Sequence, residues 1–324
     1  MKAIGYDKYT AAAGLQLVDV DVPTPGATEV LVRVDAAALN AFDWHMYGGD
    51  PRGLRLQTGL RVKERRFVGA DFVGTVEAIG GDVTSVAVGD RVLAETGGGG
   101  CAEYAVASVD AVARIADAVT SESAAASVMG ALTSLQMLRD SANIQPGESV
   151  LVWGASGGVG HLAVQVARAL GAARVDAVCS SKNVDMVRSL GADDVFAYDG
   201  DGVSDDRRYD VILDTVSTEP VRRMRRRLAS DGRWLLVGAV GGGALMGPLT
   251  PLMARMIAAK TTGVNAQMMT ARTNAADLEV IAGWLADGTL KPVIARTYPL
   301  AETAIACAEL ERGHVAGKLV ITVR

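Results

Sequence analysis

A glycine-rich segment in the middle of the chain has the spacing needed to bind an anion through its backbone. It reads Gly154-Ala-Ser-Gly157-Gly158-Val-Gly160 and lies between an apolar run, Ser149–Trp153, and an Ala- and Val-rich run, Val159–Leu170. The first run is predicted to be a strand and the second a helix. Glycines at such a turn let a pyrophosphate approach the backbone, and the helix N-terminus offers free N–H groups. The pattern favours nucleotide binding; the alternative is a glycine-rich turn without a ligand.

The residues that end the next predicted strand bear on which nucleotide would bind. An NAD site carries an acidic residue there, about twenty residues after the glycine motif, to accept from the ribose 2′-OH. This chain reads Cys179-Ser180-Ser181-Lys182-Asn183, without an acid. Two hydroxyls, an amide and a cation suit a 2′-phosphate, which favours NADP over NAD. The alternative is that Ser and Asn only cap the helix predicted to begin near Asn183.

The elements around these residues predict two kinds of domain. The first third has short β-rich runs separated by Gly-Asp turns, which indicates a barrel-like β domain. A helix predicted from Ser121, its expected N-cap, to Asp140 is followed by strands that alternate with helices, which is typical of a doubly wound parallel sheet. The final run, Lys318–Val323, is β-rich, so the tail is expected to return to the first domain. We predict an α/β fold with boundaries at 1–118, 119–265 and 266–324.

The composition excludes several classes of protein. The 324 residues are 49% hydrophobic and 21% charged, which indicates a globular chain, and the formal net charge of −5 speaks against a nucleic-acid partner. No run approaches the roughly 20 apolar residues of a membrane span, and the N-terminus does not resemble a signal peptide. Three isolated cysteines, Cys101, Cys179 and Cys307, indicate a reducing, cytoplasmic compartment.

Further motifs are spread over nearly the whole chain. They are Leu39-Asn40 with Asp43-Trp44, Gly69-Ala-Asp71 with Gly74, Val88-Gly-Asp-Arg-Val92, Leu190-Gly-Ala-Asp193, and Gly313-His314 with Gly317-Lys318. Together with the segment 145–160, this set resembles the medium-chain dehydrogenase/reductase superfamily, and more narrowly its zinc-independent quinone oxidoreductase branch. The resemblance implies a GroES-like, β-rich catalytic domain, a Rossmann domain, an active-site cleft between them, and a homodimer.

The resemblance also implies which residues would contact the cofactor. Thr133 corresponds to a residue that contacts the nicotinamide, although a β-branched residue in a helix can equally serve packing. The other expected contacts are Ala155, Ser156, Gly157, Gly158, Val159, Ser180, Ser181, Lys182, Asn183, Tyr198, Asp214, Gly238, Ala239 and Lys318.

The chain departs from the zinc-dependent members of this superfamily. Those members need a cysteine where this chain has Asn40, and four closely spaced cysteines where this chain, after Glu95, has only Cys101. Zinc requires a tetrahedral set of thiolate, imidazole or carboxylate ligands. The scattered cysteines and the histidines His45, His161 and His314 offer no such set, so we expect no metal.

A reaction without a metal must form an anion that hydrogen bonds can stabilise. Hydride addition to a quinone or an α,β-unsaturated carbonyl gives a delocalised anion, whereas an isolated ketone gives an alkoxide. This argument agrees with the activity that the resemblance implies, NADPH-dependent reduction of such small molecules. The resemblance places Asn40 near the nicotinamide and substrate. Asp43 is expected either to orient neighbouring groups or to cap a helix, and Tyr47 either to donate a proton or to pack.

Two alternative functions remain open at this point. An enoyl-thioester reductase of the same superfamily would need a basic patch for its carrier, and a regulatory protein would bind NADPH with little turnover. The arginine run on the helix predicted over 220–228 is expected to be a solvated face rather than an anion site. Its members are Arg222, Arg223, Arg225, Arg226 and Arg227.

Overall fold

The computed structural model describes residues 1–200, 202–204, 206–239 and 246–324. The chain forms two compact units, one made of Met1–Leu132 with Arg272–Arg324, the other of Thr133–Ala271. The tail therefore returns to the first unit, and the predicted fold class is confirmed. The domain ends at 118 and 265 stay predictions; the two compact units themselves divide after Leu132 and after Ala271.

The elements follow one another along the chain in three stretches. The first contains β1 (Lys2–Tyr6), β2 (Gln16–Asp19), β3 (Glu29–Leu39), α1 (Ala41–Gly48), α2 (Arg55–Thr58), β4 (Arg66–Phe67), β5 (Asp71–Ile79), β6 (Arg91–Glu95), β7 (Tyr104–Ser108), β8 (Val112–Arg114) and α3 (Ser121–Gln136). The second contains β9 (Ser149–Trp153), α4 (Gly160–Ala169), β10 (Arg174–Cys179), α5 (Val184–Ser189), β11 (Val195–Ala197), β12 (Tyr209–Asp214), α6 (Val221–Arg227), β13 (Leu228–Leu236), α7 (Leu249–Thr261) and β14 (Asn265–Gln267). The tail contains α8 (Ala275–Ala286), β15 (Ile294–Pro299), α9 (Thr303–Arg312) and β16 (Lys318–Thr322).

The larger sheet of the first unit is organised around β3. Its strand order is β15-β16-β3-β5-β6-β8, with β7 also paired to β3, and β1 forms a separate sheet with β2 and β4. Most residues of β3 are buried, as expected for a central strand of the core. Its register sets Leu39 opposite Leu319 and Ala38 opposite Asp71. The pairing therefore brings Lys318, Asp71 and the residue after Leu39 together.

The sheet of the second unit is parallel throughout. Its order is β11-β10-β9-β12-β13-β14. The chain therefore adds β10 and β11 on one side of β9 and then β12, β13 and β14 on the other. The order reverses between β9 and β12, and ligands of such sheets bind at the carboxyl ends of the strands at this point. The glycine-rich segment follows β9 directly.

One local prediction about a helix is wrong, and one helix was not predicted. Ser121 is the first residue of α3 rather than its N-cap, and Thr120 Oγ1 accepts the Ser123 amide at 3.2 Å. The Ser121 hydroxyl instead accepts a hydrogen bond from Arg91. Helix α7 was not predicted; its segment contains Pro248 and Pro251, but both lie at its start, where the missing N–H groups would have no helical partner.

Candidate active site and nucleotide site

The turn after β9 leaves backbone amides available to a ligand. Gly154 has φ +84°, and a Cβ on Gly160 would lie 2.2 Å from the Gly154 carbonyl oxygen, so neither position tolerates a side chain. The close approach holds the start of α4 against the end of β9. Among the described residues, the amides of Ser156, Gly158 and Val159 have no acceptor. The predicted nucleotide contacts from 155 to 159 thus form one turn with free donors at a helix N-terminus.

The polar residues predicted to read the ribose are together after β10. Asn183 Nδ2 donates to Ser180 Oγ at 3.1 Å, and the Asn183 amide donates to the Ser180 carbonyl. Lys182 lies in the same short turn. Tyr198, which follows β11, leaves 59% of its surface exposed. All four side chains therefore lie on the loops at the carboxyl end of the neighbouring strands β10 and β11.

An acidic residue that sequence reasoning missed lies at this place. The Asp199 carboxylate accepts the Ser181 amide at 2.9 Å and the Ser181 hydroxyl at 3.0 Å, and these bonds lower the pKa of Asp199. The segment 179–183, which is predicted to contact the ribose, contains no acid, but the loop after β11 supplies Asp199. The signal was present in the sequence, since Asp199 follows Tyr198, yet only strand pairing shows that it reaches Ser181.

A cavity of about 470 Å³ lies beside these loops. Its described lining includes Trp153, Val178, Tyr198, Glu219, Arg223 and Arg227. The prediction of a solvated arginine face is wrong for Arg227, which is 4% exposed and stacks over the Trp153 ring. Arg227 also pairs with Glu219 at 3.4 Å and donates to the Val203 carbonyl. The arginine run therefore contributes to the wall of this cavity.

Asp214, predicted to contact the cofactor, has its carboxylate engaged within the protein. Its oxygens accept the amides of Val216 at 3.1 Å and Ser217 at 2.6 Å, and the indole N–H of Trp234 at 3.3 Å. Burial raises the pKa of Asp214 to about 6. The side chain thus fixes the turn after β12.

The remaining predicted contacts of the second unit lie on the same turns or on α3. The Gly238 carbonyl accepts the Ser217 hydroxyl at 2.7 Å, which ties the segment of Gly238 and Ala239 to the turn after β12. Thr133 is half-buried on α3.

A buried polar cluster in the first unit surrounds Asn40. The Asn40 amide nitrogen Nδ2 donates to Asp71 Oδ2 at 2.9 Å, and Lys318 Nζ donates to Asn40 Oδ1. Lys318 Nζ also lies 3.6 Å from Asp71 Oδ2, which accepts the Met129 amide as well. Lys318 is 3% exposed and Asp71 is 0% exposed. Lys318, predicted as a cofactor contact, is thus held beside Asn40 as the cation of this cluster.

Asp43 anchors the backbone around Asn40. One carboxylate oxygen accepts the Asn40 amide at 2.7 Å, and the other accepts the amides of Gly69 and Ala70 at 3.0 Å each. Burial, opposed by these bonds, raises the pKa of Asp43 to about 6. The side chain therefore caps α1 and ties it to the loop before β5, which is the geometry of a positioning residue.

Tyr47 points to a different partner. Its hydroxyl donates to Glu311 Oε1 at 2.9 Å, and the side chain is 1% exposed. Burial, ahead of the neighbouring Cys307 and Glu311, raises the pKa of the Tyr47 phenol well above its usual range. The structure thus brings Asn40, Asp43 and Lys318 together but leaves Tyr47 outside their hydrogen-bond network.

Sequence reasoning missed two carboxylates of the cluster, Asp71 and Glu95. Asp71 was quoted only as part of a motif that carries the family resemblance. Glu95 was mentioned only to locate Cys101, and neither residue was predicted to belong to a site. They occupy facing positions on β5 and β6. The available signal was an acid at the edge of an apolar run, Phe72–Val76 or Val92–Ala94. A buried acid needs a partner, so each predicts a polar neighbour.

The β-rich unit, the parallel sheet and its glycine turn define a medium-chain dehydrogenase/reductase. Residues 26–117 match the family model of the alcohol dehydrogenase GroES-like domain, and residues 190–321 match that of a zinc-binding dehydrogenase. The chain is 33% identical to the chloroplastic quinone-oxidoreductase QR1 of Triphysaria versicolor, over 99% of this chain and 98% of that protein. It belongs to the quinone oxidoreductase family and is an oxidoreductase that acts on a small molecule.

Solved structures agree with this assignment over the whole chain. The quinone oxidoreductase from Coxiella burnetii is 29% identical, with a TM-score of 0.86, covering 100% of this chain and 99% of that one. An NAD-dependent alcohol dehydrogenase is 28% identical, with a TM-score of 0.83 and complete coverage of both chains at 100%.

Two further findings concern metals and membranes. Within the ranges that the structure describes, no group of three or more His, Cys, Asp or Glu side chains is placed to hold a metal ion. No helix in those ranges is both long and apolar enough to cross a membrane.

Proposed function

We propose that this protein transfers hydride from NADPH to a quinone or an α,β-unsaturated carbonyl, without a metal. The observation that carries the proposal is the Asn40 cluster, a neutral hydrogen-bond donor fixed between Lys318 and Asp71 where zinc-dependent relatives have a cysteine ligand. The free amides after β9 fit the pyrophosphate of a dinucleotide. A soluble cytoplasmic homodimer is part of the proposal.

Asn40 is proposed to stabilise the anion formed on the acceptor. An Asn side chain has two N–H donors, and Asp71 takes one of them. The other is left for the acceptor oxygen. Lys318 donates to the amide oxygen and thereby polarises the group, which strengthens the remaining N–H as a donor. Bound NADPH supplies the hydride, while Asn40, Lys318 and Asp71 keep one donor in a fixed orientation and out of water.

The cofactor preference is proposed to arise after β10. The Ser180 hydroxyl, the Lys182 ammonium and the second N–H of the Asn183 amide offer the donors that a 2′-phosphate needs, and the Ser181 hydroxyl, which donates to Asp199, would have to turn to join them. Tyr198 is exposed beside them. Thr133, Gly238 and Ala239 are proposed to contact the nicotinamide end of the cofactor. Tyr47 is proposed to have a structural role, because its hydroxyl donates to Glu311.

Absorbance at the nicotinamide band tests the proposal directly. The purified protein is expected to oxidise NADPH in the presence of a simple quinone or enone, and to use NADPH at lower concentration than NADH. Dialysis against a chelator is expected to leave the rate unchanged. Nucleotide binding without turnover on either acceptor would contradict the proposed reaction, and a rate lost to the chelator and restored by zinc would contradict its metal-free form.

Asp199 is expected to weaken NADPH binding, because its carboxylate shares Ser181 with the proposed 2′-phosphate site. Asp199→Asn should tighten NADPH binding by about two- to fivefold and leave NADH binding nearly unchanged, since exposed charges interact weakly across water. Fluorescence titration at low and high salt measures both affinities, and the gain should shrink in high salt.

Asp185→Asn on the adjacent helix α5 is the matched control, because the Asp185 side chain is 99% exposed and pairs only locally with Arg188. An equal shift for NADPH and NADH in Asp199→Asn would show that Asp199 does not face the 2′ position.

A further inference from the structure

Asp71 and Glu95 face each other across two strands with too few donors for their oxygens. They are directly opposed in the antiparallel pairing of β5 with β6, so their side chains lie on the same face of the sheet. Asp71 Oδ1 and Glu95 Oε2 are both buried, and neither has a hydrogen-bond partner among the described residues. Buried polar atoms are nearly always paired. One proton held between the two carboxylates would give both of these oxygens a hydrogen-bond partner.

The charges around the pair also favour one bound proton. Asp71, Glu95 and Asp43 would carry three negative charges, and Lys318 is the cation beside them. Asp43 is satisfied by three backbone amides, which leaves Asp71 and Glu95 to share Lys318. Burial, and then the charge of Asp71, raises the pKa of Glu95 to about 7. Two carboxylates in one buried place do not both ionise readily.

Other groups on the neighbouring elements are already engaged. The Thr273 side chain donates to Glu95, and the Met129 amide donates to Asp71. Of the ionisable groups on the elements packed against β5 and β6, Asp277 of α8 accepts from Asn274 and Arg114 of β8 pairs with Asp90. Glu279 of α8 is exposed, and β3 carries Glu29, Arg33 and Asp35, of which Arg33 pairs with the exposed Glu77.

We propose that Glu95 is a positioning residue that shares one proton with Asp71 and thereby keeps the charge beside Asn40 balanced. This inference rests on the proposed function, because the balanced charge matters for the anion formed by hydride transfer. With the proton in place, one carboxylate faces one ammonium ion, and the free N–H of Asn40 meets no excess negative charge. Loss of the proton adds a second carboxylate charge that repels the developing anion.

The first test is the pH dependence of kcat with saturating NADPH and quinone. The wild type should lose activity as the pH rises through about 7, by roughly ten- to a hundredfold at the alkaline end, because an added like charge several ångströms away acts in a low dielectric. Glu95→Gln cannot ionise, so its profile should stay flat over the same range. Glu77→Gln, an exposed carboxylate on β5, should keep the wild-type limb.

The second test does not depend on turnover. Infrared difference spectra between the wild type and Glu95→Gln, recorded from pH 5 to pH 9, should show the carbonyl stretch of a protonated carboxylic acid that disappears with the wild-type limb. Asp43 and Asp214, whose pKa values are raised to about 6, contribute equally to both proteins and cancel in the difference. Persistence of the alkaline limb in Glu95→Gln would overturn the positioning role. Absence of the band from the difference spectrum would overturn the shared proton. If neither a quinone nor an enone is reduced, the proposed function is wrong, but the infrared band still shows whether Asp71 and Glu95 share a proton. The two failures can therefore be distinguished.

Discussion

Replacing Asn40 with alanine should lower kcat by about a hundred- to a thousandfold while NADPH still binds. Loss of a single hydrogen-bond donor to a developing oxyanion typically has an effect of this size, about 3–4 kcal/mol of transition-state stabilisation. The alanine also leaves Lys318 without its amide acceptor and Asp71 without one donor. Steady-state kinetics with a quinone, together with fluorescence titration of NADPH, measures both properties.

The nucleotide titration separates a loss of turnover from a loss of cofactor binding, because the proposed NADPH contacts of the glycine turn belong to the second unit and Asn40 belongs to the first. Asn265→Ala is a matched control, since Asn265 is exposed on β14 and its side chain accepts a hydrogen bond from Gln267. Asn265→Ala should retain full activity. Unchanged quinone reduction by Asn40→Ala would place the stabilising donor elsewhere in the molecule.

The order of strands and helices could be predicted because it depends on local patterns. The strand Ser149–Trp153 is found with the predicted bounds, and the glycine turn lies between it and α4 as expected. Alternating strands and helices then predict a parallel sheet without knowledge of any contact. The amide, the two serines and the lysine after β10 were found in the same way, because they are consecutive in the sequence.

The inner part of the candidate site could not be predicted because it depends on register. Asp71, Glu95 and Lys318 come from three strands that are far apart in the sequence, and they meet only because β3 pairs with β16 and β5 pairs with both β3 and β6. A shift of one residue in any of these pairings would turn the side chain to the opposite face. The reach of Asp199 to Ser181 is a second example, since it depends on the pairing of β10 with β11.

The structure also adds to the roles of residues that were predicted from the sequence. Asp43 was expected either to orient neighbouring groups or to cap a helix, and its two carboxylate oxygens do both, because they accept the amide of Asn40 and the amides of Gly69 and Ala70. Lys318 stays a predicted cofactor contact, and the structure adds that it is the cation that makes a buried Asp71 tolerable. The chemistry of the site therefore depends on a balance of buried charges.

Replacing Lys318 with methionine should destabilise the protein by about 3–5 kcal/mol near pH 8, because it leaves the buried Asp71 carboxylate without its counter-ion. Burial holds the pKa of Asp71 above its usual range even with Lys318 present. A carboxyl whose pKa is raised on folding binds more protons in the folded state, so stability falls as the pH rises from the unfolded pKa toward the folded one. The loss in Lys318→Met should therefore be smaller near pH 5, where Asp71 is more readily protonated.

Urea denaturation at both pH values measures this difference, and a second substitution separates the charge from the packing. Lys318→Met combined with Asp71→Asn removes both charges and should recover most of the lost stability, while quinone reduction stays low because Asn40 has lost its polarising cation. Lys2→Met is the control: its pair with Asp19 is exposed and should contribute less than about 1 kcal/mol. An equal loss at pH 5 and pH 8, or a double variant no more stable than Lys318→Met, would show that Lys318 stabilises the fold by packing alone. An equal loss of stability at both pH values would also mean that Lys318 does not act as a charge, so it could not strengthen the N–H donor of Asn40.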